Sequence, residues 1–133
     1  MSENLDLVRS IFADWERGDF STVEWADPEI KFVIADGPSP GTWTGTDGMT
    51  EGFRGWLSTW EDVRIKADEY RELDNERVLV PVSASGRGKA SGLDLGQMGA
   101  NGAAVFHVRD GKVTRLVLYA ERDRALADLG LSE

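Results

Sequence analysis

The apolar residues of this chain change their period partway along, and that change leaves few folds open. From Leu5 to Trp60 most of them recur every three or four positions, and from Val63 to Tyr119 every second. The first spacing lines one face of a helix and the second one face of a strand. Helices followed by hairpin-connected strands imply an α+β domain, its helices laid over a mostly antiparallel sheet.

Leu5, Val8, Ile11, Phe12 and Trp15 predict a helix over residues 4–17, with Ser2 as its N-cap and Gly18 as its stop. Ser21 and Glu24 have capping-box spacing for a short second helix, which Asp27-Pro28 would break. Ile30, Phe32 and Ile34 alternate with Lys31 and Val33, as in a strand, and residues 35–45 read as a Pro/Gly loop. Thr46 would cap a third helix whose stripe is Met49, Phe53, Trp56, Leu57 and Trp60. Its glycines 48, 52 and 55 leave room for something to approach closely.

Val63, Ile65 and Ala67 begin the strands, Asp74-Asn75 marks a turn, and Val78, Val80 and Val82 form the next strand. Pro81 removes a ladder donor there and implies an edge or a bulge. Residues 86–92 read as a bend. Residues 93–109 read as one long strand, or as two divided by a turn at Asn101-Gly102. Asp110-Gly111 is the strongest local signal, a two-residue hairpin turn between alternating runs. That turn fixes a register in which Val108 faces Val113, Phe106 faces Arg115, Ala104 faces Val117 and Gly102 faces Tyr119. Arg122 to Leu129 would close the chain as a helix, with Gly130 as its C-cap and Leu131 as the accompanying contact.

A length of 133 residues fits one domain over 1–133. A net charge of -9 argues against nucleic acid and against an anionic membrane surface. The absence of cysteine excludes thiolate chemistry, and one histidine, His107, leaves no basis for a transition-metal site. No cofactor is implied. With no signal-peptide pattern and no apolar run of about 20 residues, a cytoplasmic protein is expected.

Four stretches together resemble the SnoaL-like branch of the nuclear-transport-factor-two superfamily, which also contains ketosteroid isomerases. They are Phe12-Ala13-Asp14-Trp15-Glu16-Arg17-Gly18-Asp19, Ala26-Asp27-Pro28-Glu29-Ile30, Thr44-Gly45-Thr46-Asp47-Gly48, and the run from Arg109-Asp110-Gly111-Lys112-Val113 to Tyr119-Ala120-Glu121-Arg122 with its Ala125-Leu126 and Gly130-Leu131 tail. The resemblance implies a cystatin-like cone, in which a curved, mixed or antiparallel sheet is wrapped by about three helices around an apolar pocket. It further implies a homodimer through the outer sheet face. Members of the family include isomerases, cyclases, dehydratases and epoxide hydrolases, and others only bind ligands.

Ile11, Val33 and Ala104 fall where an isomerase would carry its tyrosine, base and oxyanion aspartic acid, so that mechanism does not transfer. A small, mostly apolar organic ligand is expected, lined by Trp15, Phe32, Trp43, Phe53, Trp56, Trp60, Ala104, Phe106 and Val117. Trp43, beside the Pro/Gly loop, is a candidate lid. The hairpin register puts Tyr119 and Glu121 on the face of Phe106. That makes Glu121 the candidate proton-transfer group and Tyr119 its orienting donor, in metal-free acid–base catalysis. The same residues fit plainer roles: Glu121 paired with Arg122, Arg124 or Arg87, Tyr119 and the aromatics as core, Asp14 and Glu16 as solvated helix faces, and His107 as an outer-face residue. A non-catalytic carrier or sensor and a structural dimerisation module are the rival readings.

Overall fold

A computed structural model describes residues 3–17, 24–35, 41–58, 60–88, 101–119 and 121–130, with residues 55–58, 60–64, 84–88 and 101 described by their backbone alone. Ser2, Gly18, the short helix around Ser21, the loop over 36–40, residues 89–100 and Leu131 lie outside the described residues. So do the side chains of Trp56, Leu57 and Trp60.

The chain runs α1 (Glu3–Glu16), β1 (Ala26–Ile34), β2 (Gly41–Thr44), α2 (Gly45–Ser58), β3 (Trp60–Ala67), β4 (Arg71–Glu72), β5 (Arg77–Gly88), β6 (Asn101–Arg109), β7 (Lys112–Tyr119) and α3 (Arg122–Asp128). The strands form one curved sheet in the order β2-β1-β7-β6-β5-β3, with β4 also paired to β5. Only β1 and β7 run parallel, so the sheet is mixed. The helices α1 and α2 pack on its inner face through Val8, Ile11, Phe12, Trp15, Met49 and Phe53. On the other face α3 packs Ala125 and Leu126 against Leu79, Ala103, Val105 and Val117.

Two interruptions in the ladders correct the expected strands. Pro81 is internal, since β5 lies between β6 and β3. Its missing N–H falls where the β3 pairing ends, at Ala67–Val82, before β4 takes over at Leu79. Its carbonyl still accepts from the Asp68 N–H at 2.8 Å. The proline therefore occupies the one stretch where an internal strand changes partners. The second interruption is in the β6–β7 hairpin. Asp110 and Gly111 have φ of 53° and 76°, the left-handed pair that the turn requires. Val108 faces Val113 as expected, but His107 then faces Arg115 and leaves Thr114 as a bulge. Beyond it Phe106 faces Leu116, Val105 faces Val117, and Ala103 faces Tyr119.

Other boundaries also move. The sequence stripe carried α2 to Trp60, but the helix ends at Ser58 and Trp60 opens β3, opposite Gly88. The expected bend at 86–92 begins as strand, and Asn101 pairs with Ser83, so no turn divides β6 there. In both places ladder pairing overrides local glycine content. Trp43 belongs to the edge strand β2, with Gly41 below its ring and Gly48 and Gly52 of α2 beside it. That slot holds the indole against Phe32.

A Cβ at Gly52 would sit 2.9 Å from two atoms of the fully buried Phe32 ring and 2.9 Å from the Trp43 indole. Overpacking of this kind costs about 1–3 kcal/mol, against a helix-propensity gain of about 1 kcal/mol from glycine to alanine. Gly52→Ala is accordingly expected to destabilise the protein. Gly48→Ala, whose Cβ would meet Trp43 at an ordinary 3.4 Å, is expected to be neutral or stabilising. Urea unfolding of the two variants checks the contrast.

Candidate functional site

The inner face is an aromatic seam. Tyr70 meets Phe12 at 6.0 Å, and Phe12 meets Trp15 at 4.9 Å and Phe106 at 5.8 Å. Trp15 is the hub and also contacts Trp25 at 6.2 Å, Phe53 at 5.4 Å and Phe106 at 6.0 Å. Phe53 stacks on Phe32 at 4.6 Å, and Phe32 leads to Trp43 at 5.7 Å. Of the residues expected to line a ligand, Trp15, Phe32, Phe53, Ala104 and Phe106 are buried in this one cluster, with Trp43 half-buried at its edge. Val117 is not among them, because the bulge turns it toward α3. Ile11 and Ala104 face the seam, whereas Val33 lies against the α3 cluster.

Trp25 was not singled out by any periodicity, since it precedes β1 outside the alternating stretch. Its backbone is pinned: the carbonyl accepts from the Val113 N–H at 2.9 Å, and the neighbouring Glu24 carbonyl accepts from Lys112 Nζ. The residue is 8 % exposed, and its indole nitrogen is buried. Among the described residues its Nε1–H is the one buried side-chain donor without an acceptor. Leaving such a group unpaired costs about 1–3 kcal/mol.

The bulge also moves the expected catalytic pair. Tyr119 lies on the face of Val105 and Val117, opposite Phe106, and its hydroxyl donates to Asp128 Oδ2 of α3 at 3.0 Å. Glu121 is exposed at the N-cap position of α3, where its backbone carbonyl accepts from the Ala125 N–H. The shared face that made Glu121 and Tyr119 a proton-transfer pair beside Phe106 is therefore not formed.

Arg122 pairs with Asp68 rather than with its sequence neighbour. Its Nη2 donates to Asp68 Oδ2 at 2.8 Å and to the Val82 carbonyl at 3.0 Å, and its Nε donates to the Gly102 carbonyl at 3.3 Å. Ser83 Oγ donates to the same Asp68 oxygen at 2.6 Å. The cluster fastens the start of α3 to β5 and β6. The Ser83 hydrogen bond first, and then Arg122, hold the Asp68 carboxyl below its usual value. At the hinge between β4 and β5, Asp74 accepts from the backbone N–H groups of Glu76 and Arg77 and from Arg77 Nε, which lowers its pKa. Glu16, expected as a solvated face, accepts the Ala67 N–H at 3.0 Å and ties α1 to the end of β3. Asp14 pairs with Arg17.

The outer face carries a transverse basic row. Lys31 pairs in register with Arg115, Arg115 with His107, and His107 with Arg77. Burial first, then the charges of Arg115 and Arg77, hold the His107 imidazole below its ordinary 6.5. The helix α3 covers the apolar row beside it, on the face where the resemblance implied a second subunit.

This is the architecture of an α+β cone with helices closed over the concave face of a mixed sheet. The chain belongs to the SnoaL-like domain family, whose pattern matches residues 8–116. Among solved structures it is similar to an NTF2-like protein of unknown function from Burkholderia pseudomallei, at 20% identity and a TM-score of 0.78 over 96% of this chain and 97% of that one. It is also similar to TerC, co-crystallised with polyporic acid, at 20% identity and 0.74 over 96% and 98%. A third is a protein of ketosteroid isomerase-like fold from Catenulispora acidiphila in complex with trimethylamine, at 16% and 0.69 over 96% and 94%. No curated protein sequence matches this one. No helix among the described residues is long and apolar enough to cross a membrane.

The shifted groups give stability a definite pH dependence. Asp68, Asp74 and His107 all have folded pKa values below their unfolded ones. Each therefore contributes stability that is complete above its unfolded pKa and is lost as pH falls through the folded one. Melting temperature is expected to hold from about pH 6.5 to about pH 10, where the half-buried Tyr70 phenol, its pKa raised by burial, begins to cost stability. On the acid side it declines first as the unfolded imidazole protonates and again below about pH 4. Arg115→Gln removes the leading charge beside His107, and an NMR titration should show the imidazole pKa moving up toward its ordinary value.

Proposed function

We propose that this chain binds a small, mostly apolar organic molecule at the aromatic seam between α1, α2 and the inner sheet face. The observation that carries the reading is that seam: rings from both helices, from β6 and from Trp25 just before β1 meet Trp15, and no buried residue among the described ones is charged or polar outside its aromatic ring. Such a surface favours flat hydrocarbon or aromatic groups and penalises ions, which would leave water without a partner. Support comes also from similar structures that hold small molecules, trimethylamine in one and polyporic acid in another. Binding rather than proton transfer is the activity this arrangement supports, because the acids nearest in sequence to β7 face away from the seam.

A thermal-shift panel of aryl ketones, quinones and their parent hydrocarbons tests the reading. A ligand present at a hundred times its dissociation constant adds about 2.7 kcal/mol to the native state, a rise of several degrees for a domain of this size. The expected result is a rise in melting temperature together with quenching of tryptophan fluorescence. A flat response across the panel, from protein shown by mass spectrometry to carry nothing, would favour the structural module, in which the rings serve only as core.

A further inference from the structure

We propose that the Trp25 indole N–H is the polar anchor of the seam and selects a neutral carbonyl oxygen on an otherwise apolar ligand. The inference rests on the ligand-binding reading above and names the chemistry it requires. Three observations carry it. The donor is more than nine-tenths buried and has no acceptor among the described residues. The indole stands in the apolar cluster, 6.2 Å edge-on from the Trp15 hub that the ligand would touch. Its backbone is fixed on both sides by the β7 start, through Val113 N–H and Lys112 Nζ, so the donor is held in place before any ligand arrives.

A lone water is a poor occupant, since a buried water ordinarily makes about three hydrogen bonds and the buried side chains described around Trp25 offer one. A carboxylate is poorer still. A neutral indole cannot balance its charge, and no buried cation is present among the described residues. A pure hydrocarbon would bury the donor without relief. A ketone or quinone oxygen accepts the bond, carries no charge and sits on a flat ring system that the neighbouring aromatics can stack against. The other polar cluster, Arg122 with Asp68 and Ser83, is already engaged in its own hydrogen bonds and offers no such vacancy.

The test compares matched probes that differ by one oxygen: 1-indanone, 1-tetralone and 9-fluorenone against indane, tetralin and fluorene. Protein labelled with ¹⁵N-tryptophan shows each indole N–H as one cross-peak, and Trp25→Phe identifies the relevant one. In the free protein that proton is expected at the position of an indole without a hydrogen bond. It should move downfield with the ketones and not with the hydrocarbons, and Trp25→Phe should weaken ketone binding about tenfold while sparing hydrocarbon binding. Ketones that bind with the Trp25 resonance unmoved would overturn the anchor and leave the binding reading intact. A cross-peak already shifted in the free protein, unaffected by any probe, means a bound water and also overturns it. If no probe perturbs any ring resonance, the binding reading fails and the anchor with it. The wild-type comparison stands even if Trp25→Phe does not fold.

Discussion

One unpaired residue, Thr114, decides which side chains enter the core. It lies between the pairs Val108–Val113 and His107–Arg115, and its hydroxyl donates to the His107 carbonyl. With the bulge, Val113, Leu116 and Leu118 point to the aromatic seam and Arg115 points to solvent. Without it, Arg115 would take the inner position opposite Phe106, and an unpaired guanidinium would be buried among aromatic rings. Desolvating that charge is far costlier than one missed ladder bond, so the strand accepts the irregularity. Every residue of β7 beyond the bulge inherits its facing from this choice.

The two faces then acquire different chemistry. On the inner face, Trp15 contacts rings from both helices and the sheet, and edge-on packing dominates. On the outer face the same strands present a basic row and an apolar row, and α3 covers the apolar one. Arg122 makes that docking specific, because its guanidinium spans two strand carbonyls and one carboxylate. Tyr119, bonded to Asp128, belongs to this docking contact. A family fold can therefore keep its shell while the residues near the end of β7 serve the helix rather than the interior.

The shifted carboxylates among the described residues lie away from the inner face. Catalytic carboxylates in apolar surroundings show pKa values raised by burial. Here the shifted carboxylates, Asp68 and Asp74, are lowered by hydrogen bonds and lie at strand ends on the exposed side. Their work is mechanical. Among the described residues, the buried side-chain donor of the seam that has no acceptor is the Trp25 N–H.

The sequence by itself determined the class of fold, the α1 and β1 faces, and the Asp110-Gly111 turn, because each follows from a local period or a local φ requirement. The candidate ring set was likewise legible, since Trp15, Phe32, Phe53 and Phe106 sit on the apolar faces that the local periods of α1, β1, α2 and β6 define. Only the tertiary structure decided the rest. The end of α2 before Trp60 and the continuation of β5 through Gly88 depend on pairing between residues far apart in the chain. The Arg122–Asp68 contact joins residues 54 apart, beyond any local rule. The spacing of Val113, Leu116 and Leu118 around Arg115 did carry the bulge, as a break in alternation at a charged residue. It became readable once the neighbouring strands showed that an inner position there must be apolar.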